Sequence, residues 1–134
     1  MKRILLSVLF CAAFVLTACG GGGETSEIST PDTIPAEFSG KTNPLGADAA
    51  TAGAEIFKNN CVPCHGAQGH GDGPAGAALS PRPKNLVLLA SSVGDDYLYW
   101  RINTGKEGTS MVAWKGVLSD EQIWQVVSFV RTLK

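Results

Sequence analysis

The sequence has few side chains that bind metals through nitrogen or sulfur. Its 134 residues include two histidines, two methionines and four cysteines. It also lacks an excess of positive charge, because 11 Lys and Arg residues stand against 12 Asp and Glu residues. A chain with no basic stripe and no polybasic patch has no surface for nucleic acid or for anionic lipid. We therefore expect no nucleic-acid partner.

Three of these scarce ligands lie together in the run Cys61-Val62-Pro63-Cys64-His65. This C-x-x-C-H spacing is typical of the attachment of a c-type haem. Two thiols three positions apart can add to the two vinyl groups at one porphyrin edge as thioethers. The adjacent His65 is then held beneath the ring, where its imidazole can bind the iron. The motif predicts one haem c, covalently bound through Cys61 and Cys64.

Other chemistries also use a C-x-x-C pair. A zinc site needs four ligands in a tetrahedron, but only His65 and His70 lie nearby and there is no second C-x-x-C. A thioredoxin-like redox pair would need a βαβ pattern around it, which the sequence does not show. A plain disulfide in an exported protein is the simplest alternative, and haem is the preferred interpretation.

The first 18 residues have the organisation of an export signal. Lys2 and Arg3 precede an apolar run, 4–16, that is too short to span a membrane comfortably. The Leu-Thr-Ala-Cys sequence that ends at Cys19 resembles the lipobox of bacterial lipoproteins, in which the peptide is cut before the cysteine and the thiol is lipid-modified. We expect residues 1–18 to be a lipoprotein signal peptide and Cys19 to be lipidated. An ordinary secretory signal is the alternative.

Residues 19–47 are rich in glycine and proline, with few large apolar side chains. This composition indicates a flexible tether rather than a folded unit, although Ile34 and Phe38 could dock on the domain or on a partner. The chain is thus expected to be exported and anchored to the membrane by lipid on Cys19. The domain that follows the tether would face the periplasm or the outer side of the cell membrane.

Residues 48–134 are expected to form one small domain. Hydrophobic periodicity predicts a helix in 48–60 that leads into the haem motif, and a second helix that starts around Asp95 and stops at Gly105. The segment 66–93, rich in glycine and proline, is expected to wrap around the haem edge without regular structure.

The last helix has the clearest signals. Ser119 is a good N-cap and Gln122 occupies the capping-box position. Acidic residues in the first turn favour the positive end of the helix dipole. The predicted buried stripe has helical spacing and comprises Ile123, Val126, Val127 and Val130, with Trp124 and Phe129 flanking it.

Together these pieces resemble the class I, monohaem c-type cytochromes of bacterial electron-transfer chains, here in a lipoprotein-anchored form. The resemblance covers essentially all of 48–134. Besides the haem motif and the last helix, its pieces are Gly53, Phe57, Gly69-His70-Gly71-Asp72-Gly73, Ser80-Pro81-Arg82-Pro83 and Met111-Val112-Ala113-Trp114. It implies an all-α, small cytochrome c fold with three to five helices around one haem. The N- and C-terminal helices would cross, with Gly53 allowing their close approach and Phe57 meeting Val126 and Phe129.

The second axial ligand of the iron is predicted to be Met111. It is the only methionine left after processing, and it lies in a loop 46 positions after His65, far enough to reach the other haem face. His70 is too near His65 for that, and is expected to be a surface residue. A core gap-filling role is the alternative for Met111. The family usually has proline after this methionine, where this chain has Val112, so the loop is expected to be more mobile.

The remaining site residues follow from the same resemblance. A backbone carbonyl of the 81–83 stretch, which includes Pro83, is expected to accept the His65 Nδ1 proton. Arg82 would pair with a haem propionate, or be a solvated loop charge. Trp114, like Trp100, would pack on the ring or donate to a propionate, or belong to the core.

A His/Met pair leaves the iron six-coordinate, with no open site for O₂ or peroxide, and raises the reduction potential. The sequence therefore predicts an electron carrier and not an enzyme, shuttling electrons between respiratory donors and acceptors at a membrane. A fixed haem subunit of a larger membrane oxidoreductase needs the same residues and is the first alternative. A haem sensor or peroxidase would need a vacant or labile sixth site.

Overall fold

The computed structural model describes residues 31–46 and 48–134. These residues contain five α-helices and one 3₁₀ turn, in the order α1 (Ala49–Asn60), α2 (Val62–His65), the 3₁₀ turn (Gly76–Ala78), α3 (Leu86–Ser92), α4 (Asp95–Thr104) and α5 (Asp120–Val130). The predicted all-α fold with three to five helices is confirmed. The predicted signal peptide, 1–18, and Cys19 lie outside the described residues. Within the described part, no helix has the length and apolar character needed to cross a membrane.

The first and last helices pack against each other at a glycine. A Cβ atom added to Gly53 of α1 would lie 1.9 Å from the backbone oxygen of Gln125 in α5. One turn further along α1, Phe57 is only 2% exposed, and its ring centroid lies 5.0 Å from that of Phe129. The predicted close approach and the Phe57–Phe129 contact are therefore both present. This helix pair is the frame on which the haem motif begins.

Helix α5 begins as its sequence predicts. The Ser119 hydroxyl accepts a hydrogen bond from the Gln122 amide at 3.2 Å, and the Gln122 side chain accepts one from the Ser119 amide at 2.9 Å. The four residues of the predicted stripe are all buried. Trp124, predicted only to flank the stripe, is itself buried because its ring stacks on Tyr99 of α4, with centroids 4.2 Å apart.

Helix α4 also has the predicted bounds. Two acidic residues occupy its first turn, where the helix dipole favours negative charge, and Gly105 ends it with φ +71°. Its central residues, including Leu98 and Tyr99, are buried against α5. The start of α4 is also joined to the end of α5, where the Arg131 side chain donates to the Asp95 carboxylate at 2.7 Å.

The prediction that 66–93 has no regular structure is wrong. Helix α3 forms near the end of this segment, and its N-cap is Asn85, whose side chain accepts a hydrogen bond from the Leu88 amide at 3.1 Å. Leu86, Leu89 and Ala90 pack against the core with helical spacing. The apolar run and its capping residue are local signals for a helix. They lie inside a longer segment whose glycine and proline content is typical of loops, and the prediction followed that content.

The compact unit that contains the haem motif comprises Pro31–Lys134, and so includes residues before Asp48. Residues 31–46, expected to belong to a flexible tether, lie along α4 and α5 and are called the N-terminal strap below. Phe38 and Leu45 of the strap pack against the core. The Asn43 side chain donates to the Ser128 hydroxyl of α5 at 2.8 Å. Such pairings join residues far apart in the chain, so local composition did not indicate them.

Candidate haem-binding site

Helix α1 leads directly into the C-x-x-C-H run, which folds as a helical turn. The Cys61 amide donates to the Phe57 carbonyl, and the His65 amide donates to the Cys61 carbonyl, both at 2.8 Å. This turn holds Cys61, Cys64 and His65 within one short element, α2 and its N-cap. All three residues therefore continue directly from α1, which packs on α5.

Both cysteines of the motif are free thiols and half-buried. Burial, and to a smaller extent the neighbouring Cys64, raises the pKa of Cys61 to about 12. Since no disulfide joins them, the structure gives the simplest alternative no support. The zinc alternative also lacks a ligand set, because no group of three or more His, Cys, Asp or Glu side chains in the described ranges could hold a metal ion.

The segment after the motif folds back onto it through backbone hydrogen bonds. Gly71 donates to the His65 carbonyl and Ala75 to the Pro63 carbonyl, each at 2.8 Å. A Cβ atom added to Gly76 would lie 2.3 Å from the Cys64 carbonyl oxygen and 3.0 Å from Cγ of Pro83. Gly76 therefore lies between the Cys64 backbone and the Pro83 ring, which places Pro83 close to the motif.

The His65 imidazole has a buried nitrogen without a hydrogen-bond partner. Nδ1 is shielded from solvent, and no atom of the described chain is placed to complete a hydrogen bond with it. Burial lowers the pKa of His65, while the backbone of Lys84 acts in the opposite direction and raises it. The backbone that acts on this imidazole is thus that of Lys84, directly after the predicted Pro83. The predicted hydrogen bond from His65 Nδ1 to a carbonyl of the 81–83 stretch stays a prediction.

These residues fit a covalently attached haem. Two free thiols lie one helical turn apart, and the adjacent histidine has a buried ring nitrogen. A histidine that ligates a metal almost always donates its other ring N–H to a backbone carbonyl, carboxylate or water. Nδ1 is the buried nitrogen, and the Lys84 backbone acts on this imidazole, so Nε2 is the nitrogen that could bind iron. The arrangement can hold a ring at one edge and ligate its metal from one face.

Met111 lies apart from this cluster, in the loop 106–114 that follows α4. Its carbonyl accepts a hydrogen bond from the Lys106 amide at 2.9 Å, and its amide donates to the Thr109 hydroxyl at 3.1 Å. Met111 is half-buried, and the next side chain, Val112, is 62% exposed. The half-buried Trp114 closes the loop by donating its amide to the Ile102 carbonyl at 3.1 Å. No hydrogen bond, ion pair or ring contact connects this loop with the C-x-x-C-H turn in the described residues.

The other predicted positions vary in their surroundings. Arg82 is exposed and forms no ion pair with a described residue. Trp100 is buried, and the Arg101 guanidinium lies 3.8 Å from its ring centroid. His70 is exposed, as expected.

Two polar residues near the Met111 loop were not predicted. Asn103 is 4% exposed; its side chain donates to the Tyr99 hydroxyl at 3.4 Å and its carbonyl accepts from the Lys115 amide at 3.1 Å. Arg101 contacts Trp100 and the backbone oxygen of Gly105. Nothing in the local sequence distinguishes either residue from an ordinary polar helix position.

Comparison with known proteins identifies relatives of this domain. Residues 48–130 match the family described as cytochrome c oxidase, cbb3-type, subunit III. The chain is 35% identical over 108 residues to the cbb3-type cytochrome c oxidase subunit FixP of Bradyrhizobium sp. (strain ORS 278), an alignment that covers 81% of this chain and 35% of that protein. The chain thus spans about a third of the length of the FixP relatives it matches.

A shorter relative is covered more completely. Cytochrome c6 of Thermosynechococcus vestitus is 33% identical over 86 residues, covering 64% of this chain and 70% of that protein. Among solved structures, a chain of the Kuenenia stuttgartiensis reducing HAO-like protein complex aligns with a TM-score of 0.56 and 24% identity, over 78% of this chain and 47% of that one. The KustC0563 c-type cytochrome aligns with a TM-score of 0.51 and 23% identity, over 61% and 96%. These structural likenesses show the fold alone.

Proposed function

Because the chain belongs to the family described as cytochrome c oxidase, cbb3-type, subunit III, we propose that it is a one-electron carrier with His65 and Met111 as axial ligands of its haem iron. The chain binds covalently attached haem c. The observation that carries the proposal is the buried Nδ1 of His65 beside two free thiols. Haem attachment requires two free thiols and an adjacent histidine, and the motif has both.

Each residue of the motif has a defined task in this proposal. The Cys61 and Cys64 sulfurs would each add to one carbon of a vinyl group, with the thiol hydrogen going to the other carbon, and so would hold the haem by two thioethers. His65 would present Nε2 to the iron and would donate Nδ1–H to nearby backbone in the region of Lys84. That second contact fixes the ring orientation and raises the basicity of the ligating nitrogen. When bound, the haem supplies reversible one-electron chemistry between its ferrous and ferric states.

The Met111 loop supplies the other half of the site. The Met111 thioether would occupy the second axial position and favour the reduced iron, which would leave O₂ and peroxide no open site. This is the reason for proposing a carrier rather than an enzyme. Trp114 closes the same loop and is proposed to shield the ring, and the exposed Arg82 is proposed to pair with a propionate.

The axial assignment is tested by Met111→Leu, which keeps the side-chain volume but removes the sulfur. We expect the ferric wild-type holoprotein to show the long-wavelength band that marks Met-ligated haem, and its ferrous form to bind CO poorly. Met111→Leu should lose the band and bind CO readily. Val112→Leu, a change at the neighbouring exposed position, is the matched control and should keep both properties. Ready CO binding by the wild type would overturn the carrier proposal.

Attachment is tested in the same samples after denaturation. Haem should remain with the polypeptide in the wild type and be lost from the double variant Cys61→Ala, Cys64→Ala. If the denatured wild-type chain released its haem, the two cysteines would not be the attachment points.

The location and partners belong to the proposal as well. We propose that the chain is exported and tethered by lipid on Cys19, with its haem domain facing the periplasm and exchanging electrons with respiratory proteins. Confinement near a donor and an acceptor raises the effective concentration without tight binding. Cys19→Ala should release the protein from the membrane, and retention would contradict the anchor.

A fixed subunit of a membrane oxidase is the second candidate function, because the matching family and the FixP relatives carry that description. The two candidates differ in one measurable property. A shuttle purifies alone in mild detergent, whereas a subunit purifies with partners in fixed stoichiometry.

A further inference from the structure

The N-terminal strap begins next to the loop that carries Met111. Along its length the strap is pinned at several points: Asn43 to α5, the Gly40 amide to the Asp96 carboxylate at 2.9 Å, and the Phe38 ring to Tyr99 with centroids 6.2 Å apart. These contacts lead the chain along α4. At its first residues the strap reaches the end of that helix, where α4 passes into the Met111 loop.

Asp32 is the strap residue at this point. A single carboxylate oxygen accepts hydrogen bonds from Arg101 and from Lys106, the latter at 2.5 Å. The hydrogen bond from Lys106 is the main reason that the pKa of Asp32 lies below its usual value; burial opposes it, and the positive charges of Arg101 and Lys106 lower the pKa further. The carboxylate therefore stays charged at neutral pH and bridges two cations that lie on either side of Gly105.

Both residues are also bonded to backbone in or directly before the Met111 loop. The Lys106 amide donates to the Met111 carbonyl at 2.9 Å. The Arg101 guanidinium is fixed over the Trp100 ring at 3.8 Å, and its Nη1 donates to the Gly105 carbonyl at 3.5 Å. A displacement of Arg101 or Lys106 would therefore act on Gly105 and Lys106, where α4 passes into the loop.

The loop backbone from Met111 to Ala113 is packed against Gly105. A Cβ atom added to this glycine would lie 2.5 Å from the Met111 carbonyl oxygen and 2.7 Å from the Ala113 amide nitrogen. Gly105 also has φ +71°, in the region that favours glycine. Because there is no free space at this point, the position of Met111 follows the position of Gly105 and Lys106.

We propose that Asp32 is a positioning residue for Met111: it bridges Arg101 and Lys106 and so holds the Met111 loop against the end of α4. The strap is then a working part of the haem domain, and a change at its N-terminal side is transmitted to the sixth ligand. This inference rests on the proposed role of Met111 as an axial ligand.

The test uses the full chain with its haem and compares Asp32→Asn with Asp95→Asn. Both variants keep the side-chain shape and remove one partner of a partly exposed ion pair; the carboxylate side chains are 42% and 32% exposed. Only the Asp32 pairs touch the loop, since Asp95 pairs with Arg131, directly after α5. The second variant is therefore a control for a general loss of stability.

Three quantities are measured: the rate of CO binding to the ferrous protein, hydrogen exchange of the Lys106 amide, and the midpoint of thermal unfolding. Loss of a partly exposed ion pair should accelerate CO binding and Lys106 exchange about two- to fivefold in Asp32→Asn. Asp95→Asn should leave both rates unchanged. Raising the salt concentration should narrow the gap between Asp32→Asn and the wild type, because salt screens exposed pairs.

Equal CO-binding and exchange rates in Asp32→Asn and the wild type would overturn the inference, and so would an equal acceleration in Asp95→Asn. Failure of the proposed function gives a different result. In that case the wild type lacks the Met–iron band and binds CO as fast as Met111→Leu. Exchange of the Lys106 amide needs no ligation of the iron, so it still decides whether Asp32 holds the loop.

Discussion

The two halves of the proposed haem site, the C-x-x-C-H turn and the Met111 loop, are held by different forces. The C-x-x-C-H turn grows out of the α1–α5 frame, where Gly53 lies against helix backbone and Phe57 and the α5 stripe are almost fully buried. The Met111 loop is held by backbone hydrogen bonds, one hydroxyl and the ion pairs of Asp32, and it exposes Val112. The buried apolar packing of α1 on α5 is lost only when the protein unfolds. The hydrogen bonds and ion pairs of the Met111 loop can open locally at a lower free-energy cost.

This difference gives each half its own response to mutation. A change in the frame should unfold the protein, and the Met–iron bond should be lost only at that point. A change in the loop should release Met111 while the helices stay folded. Thermal unfolding and CO binding to ferrous haem, measured on the same variants, separate the two responses.

The largest effect is expected for Phe57→Ala. Removing a phenylalanine from a closed core costs about 3–5 kcal/mol, and for a domain of this size each kcal/mol lowers the unfolding midpoint by about 4–8 °C. The fall should be seen by circular dichroism, and the Met–iron band should disappear together with the helical signal. Val117→Ala, at a side chain that is 70% exposed, is the control and should shift stability by less than about 0.5 kcal/mol. Early loss of the band in Phe57→Ala would contradict the separation of frame and loop.

The frame is also the part that the sequence predicted best. The capping box of Ser119 and Gln122 and the apolar stripe are local patterns, and α5 follows them. The C-x-x-C-H spacing is local as well, and the structure places the two thiols and His65 in one turn. The Gly53 contact was expected only through the family resemblance, because nothing local tells a helix-contact glycine from any other.

A smaller effect, with an informative sign, is expected for Gly53→Ala. In an exposed helix this change would stabilise the protein by about 1 kcal/mol. Here the new methyl group would meet the Gln125 carbonyl, and overpacking costs about 1–3 kcal/mol or more. We expect net destabilisation in urea unfolding, with a lower midpoint. Thr51→Ala, at an exposed position of the same helix, is the matched control, and a more stable Gly53→Ala would contradict the close packing of α1 on α5.

The loop half could not be predicted in the same way. Met111 was proposed from the scarcity of other ligands and from the family, but its restraint by Asp32 joins residues 69 and 74 positions apart. Composition assigned Asp32 to a flexible tether, because the glycines and prolines around it are typical of linkers. The strap is ordered by partners on α4 and α5, and such long-range pairing leaves no local pattern.

The smallest effect, and the sharpest test of the loop, is expected for Val112→Pro. The Val112 amide donates no backbone hydrogen bond in the described residues, so proline removes none. It would restrict Met111 to extended backbone and limit the open states of the loop. Such a change stabilises by about 0.4–1 kcal/mol where the conformation is compatible. CO binding to ferrous haem should slow about two- to fivefold, since 1.4 kcal/mol corresponds to about tenfold at 25 °C.

Val112→Ala is the control for this variant, because it removes the exposed apolar side chain without stiffening the backbone. It should bind CO at the wild-type rate, and neither variant should change the unfolding midpoint as much as Gly53→Ala does. Faster CO binding in Val112→Pro would show that the loop needs a backbone conformation at position 112 that proline does not adopt. Slower binding with an unchanged helical signal would show that opening of the loop, and not the α1–α5 frame, limits access to the iron.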